Sequence, residues 1–248
     1  MTKPLLDVRG LVKNFGALRA ADGIDFDVQE GETLAVIGPN GAGKTTLISQ
    51  LAGNVRPDTG EIFFAGENIT ALSAPKRARR GLARSFQITS IYPEFTALQN
   101  VALAVQAHAG HSFRFWRNAM TDPALTAPGR RVLEEVGLGA RTDIVAANLA
   151  HGEQRQLEVA MALATRPRLL LLDEPMAGMG AEESQRMIAF LATLKRRQTI
   201  ILVEHDMDAV FKLADRIAVL VYGRMIATGT SAEIRANPEV RAAYLGED

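Results

Sequence analysis

Short runs of apolar residues, separated by segments with helical spacing, dominate the pattern of this chain. Runs without a polar face are typical of a parallel sheet that is covered on both sides. The segments between them space their apolar residues as one face of a helix, as in Gln154–Arg166 and Ser184–Leu194. We therefore predict an α/β fold. Its parallel strands are Thr33–Ile37, Leu169–Leu172 and Thr199–Val203.

Other parts of the chain carry a second pattern, in which β-forming residues alternate with polar ones. Arg216–Thr228 predicts a hairpin that turns near Tyr222–Gly223. From this alternation we predict an antiparallel layer beside the main sheet. Its strands are Leu5–Leu11, Gly23–Val28 and Glu61–Ala65.

From about residue 88 to residue 150 the pattern is helical and irregular, with a variable stretch at His108–Pro128.

The composition narrows the class of protein. The chain has 248 residues, 47% of them apolar and 23% charged, which excludes a mostly disordered protein. Lysine and arginine number 28, as do aspartate and glutamate, so the basic excess of a nucleic-acid-binding protein is lacking and we expect no nucleic-acid partner. The chain has no cysteine, its first residues show no apolar stretch of the kind found in signal peptides, and no apolar run approaches the ~20 residues of a membrane span. We expect a soluble, cytoplasmic protein.

Lys76–Arg80, with the sequence KRARR, is a basic run. Such runs are usually the solvated faces of helices. We predict that this segment faces solvent rather than phosphate.

The strongest motif is a glycine-rich segment, Gly38–Thr46, that follows the first apolar strand. Its sequence GPNGAGKTT fits G-x-x-x-x-G-K-[ST], and TTLISQLAG continues as a helix. Glycines let backbone N–H groups approach phosphate oxygens, and the start of a helix adds partial positive charge. Lys44 supplies a full charge for the β- and γ-phosphates, and the hydroxyl of Thr45 is a hard oxygen ligand for Mg²⁺. We predict a nucleotide phosphate site rather than a structural turn.

A pair of carboxylates, Asp173 and Glu174, ends the apolar strand of RLLLLDEP. Acids at the carboxyl edge of an α/β sheet lie where such folds bind ligands. We predict that Asp173 holds Mg²⁺ through water, and that Glu174 orients and polarises an attacking water as a general base. A helix cap or a surface acid pair is the alternative interpretation.

A histidine, His205, follows the third apolar strand in the sequence VEHD. A lone histidine is more often structural than catalytic, but at this edge of a nucleotide fold we predict a contact with the γ-phosphate. The histidines of the chain show no H-x₃-H spacing, so a zinc site is not expected.

Together these residues resemble the ATP-binding subunit of ABC transporters. Ser85–Gln87, Asn148–Glu158 and Glu204–Asp206 look like the Q-loop, the signature motif and the switch histidine of that family, in the family's order and along nearly the whole chain. The resemblance implies a single domain with the ABC ATPase fold, which is a RecA-like P-loop NTPase core with an antiparallel β layer and an inserted helical subdomain. The implied core lobe is approximately 1–87 and 167–248, and the helical lobe is approximately 88–166.

The resemblance also implies roles for individual residues, carried over by position. Phe15 matches the aromatic residue that stacks on adenine, and Gln87 matches the glutamine that reaches Mg²⁺ and the attacking water. Two subunits would meet head to tail with two ATP molecules between them, so that the signature of one caps the γ-phosphate of the other. Catalytic roles fall to Glu174, His205 and Gln87, and metal contacts to Thr45, Gln87 and Asp173. Nucleotide contacts fall to Phe15, Asn40, Gly41, Ala42, Gly43, Lys44, Thr45 and Thr46, and across the dimer to Ala150, His151, Gly152 and Glu153.

Two positions depart from the family pattern. Ala150 stands where the signature serine is usual, which removes one hydroxyl contact to the γ-phosphate. Gly180 stands where many members have an aspartate, which removes the carboxylate of the usual cross-dimer hydrogen bond. Both departures, together with the ending Pro238–Asp248, resemble the branch that serves branched-chain amino-acid importers. A urea or short-amide importer of related type looks similar.

The resemblance thus implies an ATPase subunit that drives an importer, with ATP and Mg²⁺ as cofactors. Its implied partners are two transmembrane permease subunits on separate chains, a second ATPase subunit of the same or a different kind and, indirectly, a periplasmic solute-binding protein. It would lie in the cytoplasm, on the inner face of the membrane. A soluble ABC-type ATPase, a regulatory module with little turnover, and export instead of import stay open as alternatives. An ordinary P-loop GTPase or kinase lacks support, because the guanine-reading N-K-x-D is absent and the glutamine, signature and histidine segments would be left unexplained.

Overall fold

Strands and helices alternate along the chain as the apolar pattern predicts. The structure, a computed structural model, describes residues 3–85, 91–109 and 119–245. The strands are β1 Leu6–Phe15, β2 Leu18–Val28, β3 Thr33–Ile37, β4 Thr59–Phe64, β5 Glu67–Asn68, β6 Leu82–Arg84, β7 Leu169–Asp173, β8 Thr199–Val203, β9 Arg216–Val221 and β10 Arg224–Gly229. The helices are α1 Lys44–Ala52, α2 Ala74–Ala78, α3 Ala97–Ala109, α4 Pro123–Glu135, α5 His151–Ala164, α6 Ala181–Leu194, α7 Met207–Leu213, α8 Ser231–Ala236 and α9 Pro238–Val240.

A six-stranded sheet in the order β10-β9-β3-β8-β7-β6 forms the centre of the fold. Its strands are parallel except for β10, which runs antiparallel to β9. The register pairs Val36 with Val203 and Val203 with Asp173, so β3, β8 and β7 end at the same edge. The predicted parallel strands are confirmed, and the loops that follow them meet at one place.

Alternate residues of these parallel strands enter different parts of the core. In β7, Leu169 and Leu171 pack on the side of helix α1, whereas Leu170 and Leu172 pack against helices α5 and α6. Since both faces are covered, all residues of β3, β7 and β8 are buried. This two-sided burial is the physical reason for the continuous apolar runs in the sequence.

A four-stranded antiparallel sheet, β2-β1-β4-β5, covers the α1 side. Strands β1 and β2 extend to Phe15 and Leu18, which pair at the tip of their hairpin, so both are longer than the alternation alone predicted. The hairpin of β9 and β10 turns at Tyr222 and Gly223, as predicted. The α/β fold with an antiparallel layer is confirmed.

Helices α3, α4 and α5 carry the helical pattern between residues 91 and 166. Val101, Leu133 and Leu157 are fully buried and belong to the same apolar cluster as Leu170 and Leu172 of the sheet. These helices pack against one another and extend the apolar core on the face opposite α1, with α5 in contact with β6 of the sheet. Of the variable stretch His108–Pro128, residues 110–118 lie outside the described residues.

The interpretation of the basic run as a solvated face is wrong for Arg77. Its side chain is 1% exposed and donates to the carbonyls of Gln50 and Leu51 at 2.7 Å, and of Thr70 and Leu72 at 3.0 Å. Burial lowers the pKa of Arg77 to about 10, so the guanidinium is still charged at neutral pH. A cation at the carbonyl end of α1 interacts favourably with the helix dipole, which explains why a charge is held here without a carboxylate.

In the part of the chain that the structure describes, no helix combines the length and the apolar character that crossing a bilayer would need.

We predict that Arg77→Met lowers the free energy of unfolding by about 3 kcal/mol, because buried carbonyl groups lose their donor. Urea denaturation would measure it. Arg79→Met is the matched control, since Arg79 belongs to the same basic run and is exposed. The control is expected to change stability by less than about 0.5 kcal/mol. Equal effects of the two substitutions would contradict the assigned role of Arg77.

Candidate nucleotide-binding site

A cleft of about 360 Å³ lies between the glycine-rich loop and the tip of the β1–β2 hairpin. The structure brings most of the predicted nucleotide contacts into it, together with Glu174. Its lining residues are Phe15, Leu18, Ala20, Asn40, Gly41, Ala42, Gly43, Lys44, Thr45, Thr46 and Glu174. Phe15 and Leu18 are 49% and 66% exposed, so the hairpin offers an apolar rim beside a polar loop.

The glycine-rich loop depends on its glycines for its shape. Gly41 and Gly43 have φ of 80° and 105°, a region that favours glycine. A Cβ at Gly43 would collide with the carbonyl oxygen of Ala20. The amide of Gly223 donates to the carbonyl of Ala42 at 2.8 Å and so ties the loop to the β9–β10 hairpin.

Helix α1 begins at Lys44, directly after the last glycine of this loop, and has no side chain as its N-terminal cap. No acidic residue occupies its first turn. The amides at such a helix start need acceptors, and phosphate oxygens are suited to that role. The loop and the helix together therefore form an anion site.

Lys44, the first residue of α1, is 8% exposed. Its ammonium donates to the carbonyls of Gly38 at 2.6 Å and Pro39 at 3.0 Å. Burial lowers the pKa of Lys44, and the nearby carboxylates of Glu174 and Asp173 act against that shift. The loop thus holds a buried cation at its centre by its own carbonyl oxygens.

The carboxylate pair lies where the sequence predicts, at the edge of the parallel sheet. Glu174 follows β7 with a φ of 51°, an unfavourable backbone conformation for a residue with a side chain, and its amide donates to the carbonyl of Val203 at 2.9 Å. Strain of this kind is often found at functional sites. The turn places the two neighbouring carboxylates differently, because Asp173 is buried whereas Glu174 lines the cleft.

The two oxygens of Asp173 have different surroundings. Oδ2 accepts from a guanidinium nitrogen of Arg84 at 2.9 Å. Oδ1 is buried and has no hydrogen-bond partner within the described residues. Burial raises the pKa of Asp173, and Arg84 acts in the opposite direction.

This donor set fits Mg²⁺ that arrives with a nucleotide. Mg²⁺ usually keeps several waters and binds through one or two protein oxygens together with substrate phosphates. The unpartnered Oδ1 of Asp173 and the hydroxyl of Thr45 in the cleft are oxygen donors of that kind. Residues 3–85, 91–109 and 119–245 contain no cluster of three or more His, Cys, Asp or Glu side chains that would form a metal cage by itself.

His205 follows β8 and is largely exposed. The buried carboxylate of Glu204 accepts from the amide of His205 at 3.2 Å and from the amide of Met176 at 3.1 Å. Burial raises the pKa of Glu204. Glu204 thereby connects the loop after Glu174 to the histidine, a role that the sequence analysis did not assign.

The predicted signature segment begins helix α5 and lies apart from the loop of its own chain. Among the described residues that line the cleft, none comes from 150–153. His151 packs against Gly178, where a Cβ would lie 3.0 Å from the imidazole, and Gly152 packs against the carboxylate of Glu183. Glu153 accepts from the amide of Ala150 at 3.0 Å, which satisfies one amide at the helix start.

The sequence analysis missed several residues of the site, and one predicted residue is not described. Gln87 lies outside the described residues. Leu18 and Ala20 line the cleft, and the alternating pattern near Phe15 could have indicated Leu18. Arg84 and its partner Asp173 are 89 positions apart in the chain, so no local pattern indicates their contact.

Comparisons with known proteins agree with this geometry. The sequence profile described as ABC transporter matches residues 21–177. A second profile, described as branched-chain amino acid ATP-binding cassette transporter, matches residues 224–248.

Similar proteins are found among characterised sequences. The chain is 40% identical, over the full length of both, to a high-affinity branched-chain amino acid transport ATP-binding protein, BraF, of Pseudomonas aeruginosa. It is 38% identical, again over the full length of both, to the protein LivG of Escherichia coli, which carries the same description.

Solved structures resemble the fold closely. A nucleotide-free ATP-binding cassette from an ABC transporter is 28% identical, with a TM-score of 0.86 over 99% of this chain and 100% of that one. A cassette solved in its ADP conformation has the same identity, coverage and TM-score. The glycine-rich loop, the carboxylate pair at the edge of the parallel sheet and these matches lead to one conclusion. The chain belongs to the ABC transporter family, as one of its ATP-binding cassettes.

Proposed function

We propose that this cassette hydrolyses ATP to drive an importer of branched-chain or related amino acids. The observation that carries the proposal is the single cleft that joins the glycine-rich loop, Lys44, Thr45 and Glu174 beside the buried Asp173. The relatives named for branched-chain amino-acid transport match over their full length and so support the substrate class. A relative of Rhizobium meliloti named for fructose import is 34% identical, so the transported substrate is the part of the proposal to test first.

The cleft accounts for nucleotide binding. The amides of the loop and the start of α1 meet the phosphates, and Lys44 exchanges carbonyl contacts for phosphate contacts. Phe15 offers an exposed ring to the adenine, with the apolar side chain of Leu18 beside it. Thr45 and Asp173 would hold Mg²⁺, which supplies positive charge to the phosphate oxygens.

For hydrolysis, Glu174 acts as the general base that orients and deprotonates the attacking water. Its position at the cleft wall, one residue beyond Asp173, puts it on the phosphate side of the sheet edge. His205 contacts the γ-phosphate, and Glu204 fixes the backbone of both His205 and the loop after Glu174. Gln87 is assigned to Mg²⁺ and the water by resemblance to the family.

Two cassettes would close around two ATP molecules. Ala150, His151, Gly152 and Glu153 of one subunit would cover the γ-phosphate bound by the other, because they begin a 14-residue helix yet lie away from the cleft of their own chain. Glu153 also pairs with Arg141 at 2.9 Å, which offsets its charge at this helix end. ATP therefore attracts both protomers, and loss of the γ-phosphate releases them.

The permease would dock in a second cavity, away from the nucleotide. This groove of about 370 Å³ lies where α1, α2, β6, α3 and α5 meet, and its walls are mostly small or apolar. They include Ala74, Ala78, Leu82, Ala104, Met161 and Ala162. A short permease helix with one apolar face fits such a groove. Docked in this way, the cassette would lie on the cytoplasmic face of the membrane. A urea or short-amide importer stays the alternative for the transported substrate.

We predict that Gly43→Ala weakens ATP binding at least tenfold, because its Cβ collides with the backbone of Ala20 and moves the loop. Gly41→Ala is the control, since it carries the same kind of positive φ but has no atom within 4 Å of the new Cβ. Gly41→Ala should lose less than about threefold in ATP affinity, because it adds only backbone strain. Calorimetric titration with ATP would measure both, and equal losses would contradict the role of the close contact.

We predict that Glu174→Gln binds ATP with an affinity close to that of the native protein and hydrolyses it at least ~100-fold more slowly, the effect of losing a general base. Steady-state phosphate release, with nucleotide binding measured in parallel, would test this. Glu182→Gln is the control, because Glu182 is an exposed acid of α6 paired only at the surface, with Arg186. Near-normal turnover of Glu174→Gln would remove Glu174 from this role.

We predict that Ala78→Trp reduces co-purification with the permease chains of a branched-chain amino-acid importer at least tenfold, because the indole fills the groove. ATP binding by the isolated cassette should be unchanged. Arg79→Trp is the control, because Arg79 directly follows Ala78 at the end of α2, is exposed and does not line the groove. If Ala78→Trp retained full permease binding, the groove would not be the docking site.

A further inference from the structure

Arg84 and Asp173 form a buried ion pair at the ends of the neighbouring strands β6 and β7. The guanidinium nitrogen lies 2.9 Å from Oδ2 of Asp173, and the two side chains are 10% and 0% exposed. Leaving either charge without the other in this environment is costly. The pair therefore restrains the carboxylate much more strongly than a surface ion pair would.

The same guanidinium has a second anchor. Its other terminal nitrogen donates to the hydroxyl of Ser49 on α1 at 3.1 Å. The planar fork of arginine thus connects β6, α1 and β7. The backbone adds to this, because the amide of Ser85 donates to the carbonyl of Leu171 at 2.9 Å. Arg84 is held from both sides and has a fixed position relative to Asp173.

The consequence lies in the two oxygens of Asp173. Since Arg84 binds Oδ2, the carboxylate cannot rotate without breaking a buried charged contact. Oδ1 is the oxygen that has no partner among the described residues. The orientation that Arg84 imposes therefore leaves Oδ1 as the acceptor for a metal-bound water.

We propose that Arg84 is a positioning residue that orients Asp173 for Mg²⁺-nucleotide through the buried pair and through Ser49. This inference rests on the proposed ATP site and adds to it a residue that acts only through Asp173. Partners that orient metal ligands commonly change metal affinity by about 10- to 100-fold when they are replaced.

Arg84→Lys tests this role. Lysine keeps the positive charge but lacks the fork that reaches Asp173 and Ser49 together. The probe is a fluorescent, non-hydrolysable ATP analogue, and its dissociation constant is measured in EDTA and in excess Mg²⁺. The ratio of the two constants is the metal gain. We expect Arg84→Lys to lower the metal gain about tenfold while the constant in EDTA changes less than about twofold.

Two further variants complete the experiment. Ser49→Ala removes only the second anchor of Arg84, so it should lower the metal gain by a smaller factor and leave the fold intact. If Arg84→Lys fails to fold, the metal gain of Ser49→Ala decides whether Arg84 has a positioning role. Asp173→Asn should abolish the gain, and the double variant of 84 and 173 should lose no more than Asp173→Asn alone.

An unchanged or larger metal gain in Arg84→Lys would overturn the proposal, as would a parallel loss of affinity in EDTA and in Mg²⁺, the result of a merely structural role. Failure of the native protein to bind the analogue in either condition would instead overturn the proposed ATP site. The two failures are therefore distinguishable.

Discussion

The parallel alignment of β3, β8 and β7 is the constraint on which the rest of this molecule depends. The pairing of Val36, Val203 and Asp173 makes three strands end at one level. Each strand then passes directly into a polar segment, which is the phosphate loop, the Glu204–His205 turn or the Asp173–Glu174 turn. The side chains of the site meet because the strands are paired in this register, and a slip of one residue would turn the residues of a strand to the opposite face of the sheet.

Charges are buried around this edge, and each is compensated in a different way. Lys44 is held by carbonyls of its own loop, Glu204 by two amides, and Asp173 by Arg84. Buried charges cost free energy unless hydrogen bonds satisfy them, so these contacts are required for folding as well as for chemistry. Arg77 extends the same principle to the far end of α1, where its guanidinium accounts for carbonyl groups that the helix leaves open.

Local patterns were sufficient for much of the fold, and they failed where contacts are long-range. The apolar runs at Thr33–Ile37 and Thr199–Val203 predicted their strands to the residue, because two-sided burial leaves no exposed position in either strand. The glycine-rich segment was predicted equally well, because the geometry of a bound phosphate sets the spacing of its glycines and its lysine. By contrast, the KRARR segment carries no sign that Arg77 alone turns inward to carbonyls that lie elsewhere in the fold. Arg84 and Asp173 likewise meet only after the sheet has formed.

The side chain of Arg84 connects the proposed permease groove with the nucleotide site. Arg84 lines the groove with its neighbour Ser85, and the same side chain contacts Asp173. A helix seated in the groove would thus touch a residue that contacts the proposed metal ligand, with no chain of intermediates between them. Coupling between sites needs an element whose arrangement both sites can bias. Arg84 is the group through which such a bias would act, because its guanidinium contacts both Ser49 and Asp173 and would carry a displacement at the groove to the carboxylate.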